Sequence, residues 1–174
     1  MDIRPSLQIQ VAIRAMEQTV LPAVDPNDRI ATEQAGLVLA ALRVLEQRVP
    51  IWRAYQRDEL QRLIALSDRI ARVEGDGAAE LRALADHGRT LFASAEAEAP
   101  ELEAAVIALR GEIGALIASR EQVHRTPLGK LVLEASKVQL ERERAWLVPF
   151  GFETESSGLR PIEEQLSASR SGSA

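Results

Sequence analysis

The residues of this chain that could do acid–base or metal chemistry are few and scattered. Glu121 and His124 have the Glu-x-x-His spacing that places two metal ligands on one face of a helix, as in di-iron bundles. Such a site needs a second copy of the motif and further inward glutamates, and the sequence has no second copy. Asp86 and His87 are adjacent, so on a helix their side chains point in different directions. We therefore predict no metal site and no acid–base pair.

Other catalytic chemistries find no better support. His124-Arg125-Thr126 is only superficially similar to the His-Arg-Asp loop of kinases, because Thr126 stands where the base Asp would be and no matching Asn follows. The chain has no cysteine, which removes thiolate nucleophiles, thiolate metal sites and disulfides. We expect a protein that is not an enzyme and needs no cofactor.

Composition narrows the classes of partner. The net charge of −5 argues against nucleic acid, whose binding needs clustered cations. Aromatic residues make up 3% of the chain, so Leu, Ile, Val and Ala must build the core. No apolar run approaches the ~20 residues of a membrane-spanning helix. The N-terminal segment lacks the long apolar core of a signal peptide, so a cytoplasmic location is the expectation.

In the segments between these residues, apolar side chains recur with the period of an α-helix. One seam has apolar residues at spacings of 4, 3, 4 and 3, which is typical of a helix packed lengthwise on others: Leu102, Val106, Leu109, Ile113, Leu116 and Val123. A second seam follows the same rule: Ala31, Ala35, Val38, Leu42, Leu45 and Val49. The pattern predicts an all-α fold, an up-and-down bundle of about five helices.

Prolines and capping residues set the expected helix ends. The first helix should begin near Pro5 and end at Leu21, before Pro22. Asp25 is the expected cap of the second helix, and Thr126 that of the fifth. Because no turn residue lies near Pro50, we predict that the second helix continues through it with a kink.

Glycines and charges add three further expectations. The Gly75 region is a clear stop after the long second helix, and Gly88, inside the next helix, indicates close helix contact. The charged run Lys137 to Arg144 predicts a solvated helix face.

The C-terminal segment differs from the rest in composition. We predict a helical bundle over residues 1–152 and a flexible or loosely docked tail over residues 153–174, which is rich in Ser, Gly and Glu. In the alternative, Leu159, Ile162 and Leu166 dock as a short helix.

The first helix has apolar side chains on more than one flank, and one bundle core normally covers a single stripe. We therefore expect the first helix and the first half of the second helix to make a hydrophobic contact with another chain. Trp52 and Tyr55 are ambiguous: they are core anchors beside Pro50 or a partner-facing hot spot. The predicted partner-binding residues are Leu7, Ile9, Val11, Ile13, Met16, Trp52 and Tyr55.

Three short segments carry a family resemblance. Arg4-Pro5-Ser6-Leu7-Gln8-Ile9-Gln10, then Leu21-Pro22-Ala23-Val24-Asp25-Pro26, then Glu33-Gln34 resemble small bacterial helical proteins encoded beside phosphotransferase-like kinases of the aminoglycoside-kinase fold and acyl-CoA dehydrogenases. The resemblance covers about the first fifty to seventy residues. It implies an accessory protein of a hydroxyacyl-CoA kinase and supplies no catalytic residue.

Three functions follow as hypotheses. The first is a non-catalytic accessory protein that binds and stabilises a phosphotransferase-like kinase in acyl-CoA catabolism. The second is a helical bundle that binds an apolar or acyl ligand. The third is a self-associating bundle, and in none of them is nucleic acid or membrane a partner.

Overall fold

A computed structural model describes residues 4–119, 126–148 and 158–171, and the side chains up to residue 167 in the last segment. Of these residues 89% are helical and none forms a strand. The predicted all-α class is therefore confirmed. The helices are α1 Pro5–Ala15, α2 Arg29–Arg48, α3 Trp52–Glu74, α4 Ala79–Ala93, α5 Ala99–Ala118, α6 Pro127–Leu147 and α7 Ile162–Ser171.

Side-chain and backbone caps explain most of these ends. Thr126 accepts a hydrogen bond from the Gly129 amide at 3.2 Å, as predicted, and α6 begins at Pro127. The predicted stop after α3 is confirmed by Gly75, whose φ of 56° is left-handed. Asp25 as the cap of α2 is wrong. Asp28 caps the helix by accepting from the Ala31 amide at 3.0 Å, while Asp25 accepts from the Asn27 amide in the preceding turn.

Two prolines lie inside helical segments. The chain stays helical after α1 through a π-helical turn, Met16–Val20, and one further turn, Leu21–Ala23, that contains Pro22. Pro50 lies in a single 3-10 turn, Val49–Ile51, between α2 and α3. The predicted continuation through Pro50 is thus observed, because a tight turn accommodates the missing amide donor.

Contacts divide the chain into two compact units, and the N-terminal unit consists of residues 1–52 and 143–164. In it α1 packs along α2, with Ile13 buried on α1. Leu39 and Val44 are the buried apolar residues of α2. Ala145 and Ile162 are buried in this unit as well, so its described part has a small apolar core.

The predicted seam of α2 is wrong in part. Val38, Leu45 and Val49 are exposed, whereas Ala31, Ala35 and Leu42 are half-buried. The helix has apolar residues on more than one flank, and its neighbours cover the flanks that contain Leu39 and Val44. Half of the predicted seam therefore lies on an exposed flank of the helix.

The C-terminal unit consists of residues 53–142 and 165–174 and contains the main core. Leu60, Ile70, Leu81, Leu102 and Leu109 are fully buried there, on α3, α4 and α5. The predicted seam of α5 is confirmed from Leu102 to Leu116, and Val123 lies outside the described residues.

Two details complete the C-terminal unit. α4 and α5 pack closely on one another. A Cβ added at Gly88 on α4 would meet Leu60 Cδ1 on α3 at 3.2 Å, so the expected close helix contact is present.

The segment after Pro149 is described only from Gly158 onward. Ile162 and Leu166 are buried on α7, which agrees with the docked-helix alternative. The predicted boundary between residues 152 and 153 lies outside the described residues, so the division into bundle and tail stays a prediction.

Candidate interaction surface

The residues singled out for chemistry are not assembled into a site where the structure describes them. His87 is exposed on α4, and neighbouring Asp86 forms an ion pair with Arg89 at 2.6 Å. Glu121 and His124 lie outside the described residues. Within the described ranges no group of three or more His, Cys, Asp or Glu side chains could hold a metal ion.

A buried ion pair joins α3 and α6 in the C-terminal unit. Arg142 donates to Asp58 Oδ2, and both side chains are almost completely buried. Arg62 also reaches Asp58 Oδ2, at 3.0 Å, and donates to Gln139 Oε1 at 2.9 Å. Gln139 in turn donates to the Tyr55 hydroxyl at 3.4 Å. Two guanidinium groups thus share one carboxylate.

This arrangement shifts the pKa of the Arg142 guanidinium. Burial lowers the pKa of the Arg142 guanidinium, and repulsion from Arg62 lowers it further, while the Asp58 carboxylate opposes both effects. Both guanidinium groups donate to the same Asp58 oxygen, Oδ2. The ion pair between Asp58 and Arg142 links α3 and α6 within the C-terminal unit, and we call it the Asp58 tie.

Sequence analysis missed this tie. The expectation that Lys137 to Arg144 forms a solvated face is wrong at Arg142, which is buried. A signal was present in the partner helix: Tyr55, Asp58 and Arg62 recur at spacings of three and four, so three polar residues share one helix face.

The predicted partner-binding residues of α1 divide by exposure. Leu7 and Val11 are exposed, Val11 to 59%, and Ile9 and Met16 are half-buried. Ile13 is buried, with 8% of its surface exposed, and belongs to the contact side of α1. The available face of α1 is therefore formed by Leu7 and Val11.

Trp52 and Tyr55 are not brought together. Trp52 belongs to the N-terminal unit, is exposed at 41% and meets Trp146 edge-on with ring centroids 5.6 Å apart. Tyr55 belongs to the C-terminal unit and is buried. Its burial matches the core-anchor alternative, whereas Trp52 has the exposure that the hot-spot alternative requires.

Arg48 anchors the end of α2 in the N-terminal unit. Its guanidinium donates to the Trp146 carbonyl at 3.1 Å and to Glu163 Oε1 at 2.5 Å. It also lies over the Trp146 ring, 5.2 Å from the centroid. This buried cation is therefore neutralised within its own unit.

Exposed apolar side chains are concentrated in the N-terminal unit. Of sixteen large hydrophobic residues that are exposed in the described ranges, eleven belong to this unit. They are Leu7, Val11, Val20, Ile30, Leu37, Val38, Leu45, Val49, Trp52, Leu147 and Val148. Where such side chains adjoin one another, they form the kind of apolar patch that is typical of a protein interaction site.

Comparison with known proteins adds no relative. No protein-family model, no curated protein and no solved structure matches the chain. The resemblance to kinase accessory proteins therefore stays a prediction. None of the described helices is both long enough and apolar enough to cross a membrane.

Proposed function

We propose that this protein is a non-catalytic helical accessory protein that binds and stabilises a phosphotransferase-like kinase through its N-terminal unit. One observation carries the proposal: among the described residues of that unit, more large apolar side chains are exposed than buried. The apolar residues buried there include Ile13, Leu39 and Val44, while eleven large ones are exposed.

The physical argument is that exposed apolar surface is unfavourable in water and is buried when a partner covers it. The C-terminal unit shows the contrast, because its leucines fill a closed core and its polar residues tie helices together. In this proposal the C-terminal unit is the stable scaffold and the N-terminal unit makes the contact.

The contact with the kinase is assigned to the exposed face of α1, which contains Leu7 and Val11. Three considerations support it: both side chains are large and apolar, both lie one turn apart on one face, and the family resemblance falls on the same segment. The same resemblance suggests the class of partner, a kinase that acts on hydroxyacyl-CoA.

The test is co-expression with a phosphotransferase-like kinase encoded beside this gene. Val11→Glu places a charge in the proposed contact, and Ile107→Glu, at an equally exposed site on α5, is the matched control. We expect the parent chain and the control to co-purify with the kinase and raise its thermal midpoint, and Val11→Glu to do neither. Equal behaviour of both variants, or no complex with the parent chain, would refute the proposal.

A further inference from the structure

Exposed apolar side chains recur along α2 and in the turn that follows it, and they are a different set from the Leu7–Val11 face of α1. We define the α2 stripe as Ile30, Leu37, Val38, Leu45, Val49 and Trp52. The exposed fraction of these side chains ranges from 75% for Ile30 to 41% for Val49 and Trp52. These are large residues that a folded helix would normally bury.

The stripe has the spacing of a helix–helix seam. Val38, Leu45 and Trp52 recur every seven residues, and Leu37 follows Ile30 by seven. At 100° per residue the members on α2, from Ile30 to Leu45, fall within a sector of about 100°. This part of the stripe extends about 23 Å at 1.5 Å per residue. A surface of this shape fits another helix laid along it.

The charge of the stripe favours a second copy of the chain as that helix. The other residues in the sector are Gln34, Ala41 and Arg48. Arg48 is already paired with Glu163 and covered by Trp146. A neutral surface meets its own copy without like-charge repulsion and offers no ion-pair recognition to a charged partner.

The area is sufficient for a stable pair. The exposed parts of the six side chains make up roughly 500 Å², which is near the upper end of what a monomeric protein exposes in one patch. Two such faces bury about 1,000 Å² in total, the size from which specific interfaces begin. An interface between identical patches also closes with two-fold symmetry and does not lead to open polymers.

We propose that the protein forms a two-fold dimer in which the α2 stripe of one chain packs on the α2 stripe of the other. This inference does not depend on the kinase, because the stripe and the Leu7–Val11 face are separate sets of residues.

Two paired variants test the surface. Leu37→Glu combined with Leu45→Glu places charges in the stripe, and Leu133→Glu combined with Leu140→Glu alters two equally exposed leucines on α6. Mass is measured by light scattering at micromolar to hundred-micromolar concentration, and helix content by circular dichroism. We expect the parent chain and the α6 control to be dimeric and the stripe variant to be monomeric. The dissociation constant of the stripe variant should be at least about 100-fold above that of the parent chain, and its helix content should be unchanged. A monomeric parent chain, or a stripe variant that stays dimeric, would overturn the proposal.

Cross-linking gives a second readout. Because the chain has no cysteine, one introduced thiol reports one position. Ala41 lies midway along the stripe, where a two-fold axis brings each position near its own copy, and Ala104 is an exposed alanine on α5. Under mild oxidation Ala41→Cys should form a disulfide-linked dimer much faster than Ala104→Cys. Equal rates would mean random collision and would contradict the proposed pairing.

The two proposals fail separately. Val11→Glu should leave the dimer intact while removing kinase binding, and the stripe variant should do the opposite. A variant that keeps the association it should lose therefore identifies the surface that was assigned incorrectly.

Discussion

Removing the carboxylate of Asp58 is the most direct test of how the C-terminal unit is held together. Asp58→Asn keeps the size of the side chain but removes the charge shared by Arg142 and Arg62. Arg62 has 26% of its side chain exposed and can turn toward water, whereas Arg142 has only 7% exposed and cannot. One buried guanidinium would then lack a counterion.

The expected loss in the free energy of unfolding follows from the number of guanidinium groups that stay buried without a counterion. Breaking a buried ion pair by removing one partner typically costs about 3–5 kcal/mol, and we expect the lower end because only one of the two cations stays trapped. Arg142→Met should cost less, because Arg62 remains 3.0 Å from Asp58. Asp58→Leu combined with Arg142→Met should be close to the parent chain, since apolar replacement removes the desolvation penalty of both charges.

Urea unfolding followed by far-UV circular dichroism measures these differences. The control is Glu134→Gln, which breaks an exposed pair with Arg69, and we expect it to cost less than about 1 kcal/mol. If Asp58→Asn lowers the free energy of unfolding no more than Glu134→Gln does, the Asp58 tie does not hold the unit together.

Two further substitutions address helix ends and helix packing. Asp28→Ala should lower the free energy of unfolding by about 1 kcal/mol because it removes the cap of α2; Asp25→Ala should cost less, and the reverse order in urea unfolding would refute the cap assignment. Gly114→Ala adds a methyl group in open space and should raise stability by up to about 1 kcal/mol. Gly88→Ala crowds Leu60 at 3.2 Å, so its thermal midpoint should fall below that of Gly114→Ala.

Local signals predicted much of the fold. Three features depend on residues close in sequence: the cap at Thr126, the stop at Gly75 and the seam from Leu102 to Leu116. Local sequence patterns were therefore sufficient to predict them. Arg142 could not be predicted in this way, because its partner on α3 is 84 residues away. Burial of a charge depends on that distant partner, and the charge run around Arg142 contains no trace of it.

The candidate surface could be predicted only in part. The apolar character of α1 and α2 follows from composition, and Leu7 and Val11 are exposed as the partner-binding prediction requires. Which flank of each helix is covered depends on neighbours elsewhere in the chain. Ile13 is therefore buried although it was predicted to bind a partner, and Val38, Leu45 and Val49 of the expected α2 seam are exposed.

The heptad pattern of α2 has a consequence for how such sequences are interpreted. A heptad seam states that a helix packs lengthwise on another helix, and it does not state whether that helix belongs to the same chain. On α5 the seam meets helices of its own unit, because Leu102 and Leu109 are fully buried. On α2 the same pattern at Val38 and Leu45 stays exposed, although α1 packs along that helix. The exposed seam is the surface that the proposed dimer would cover, and because it repeats every seven residues, an identical α2 would fit it.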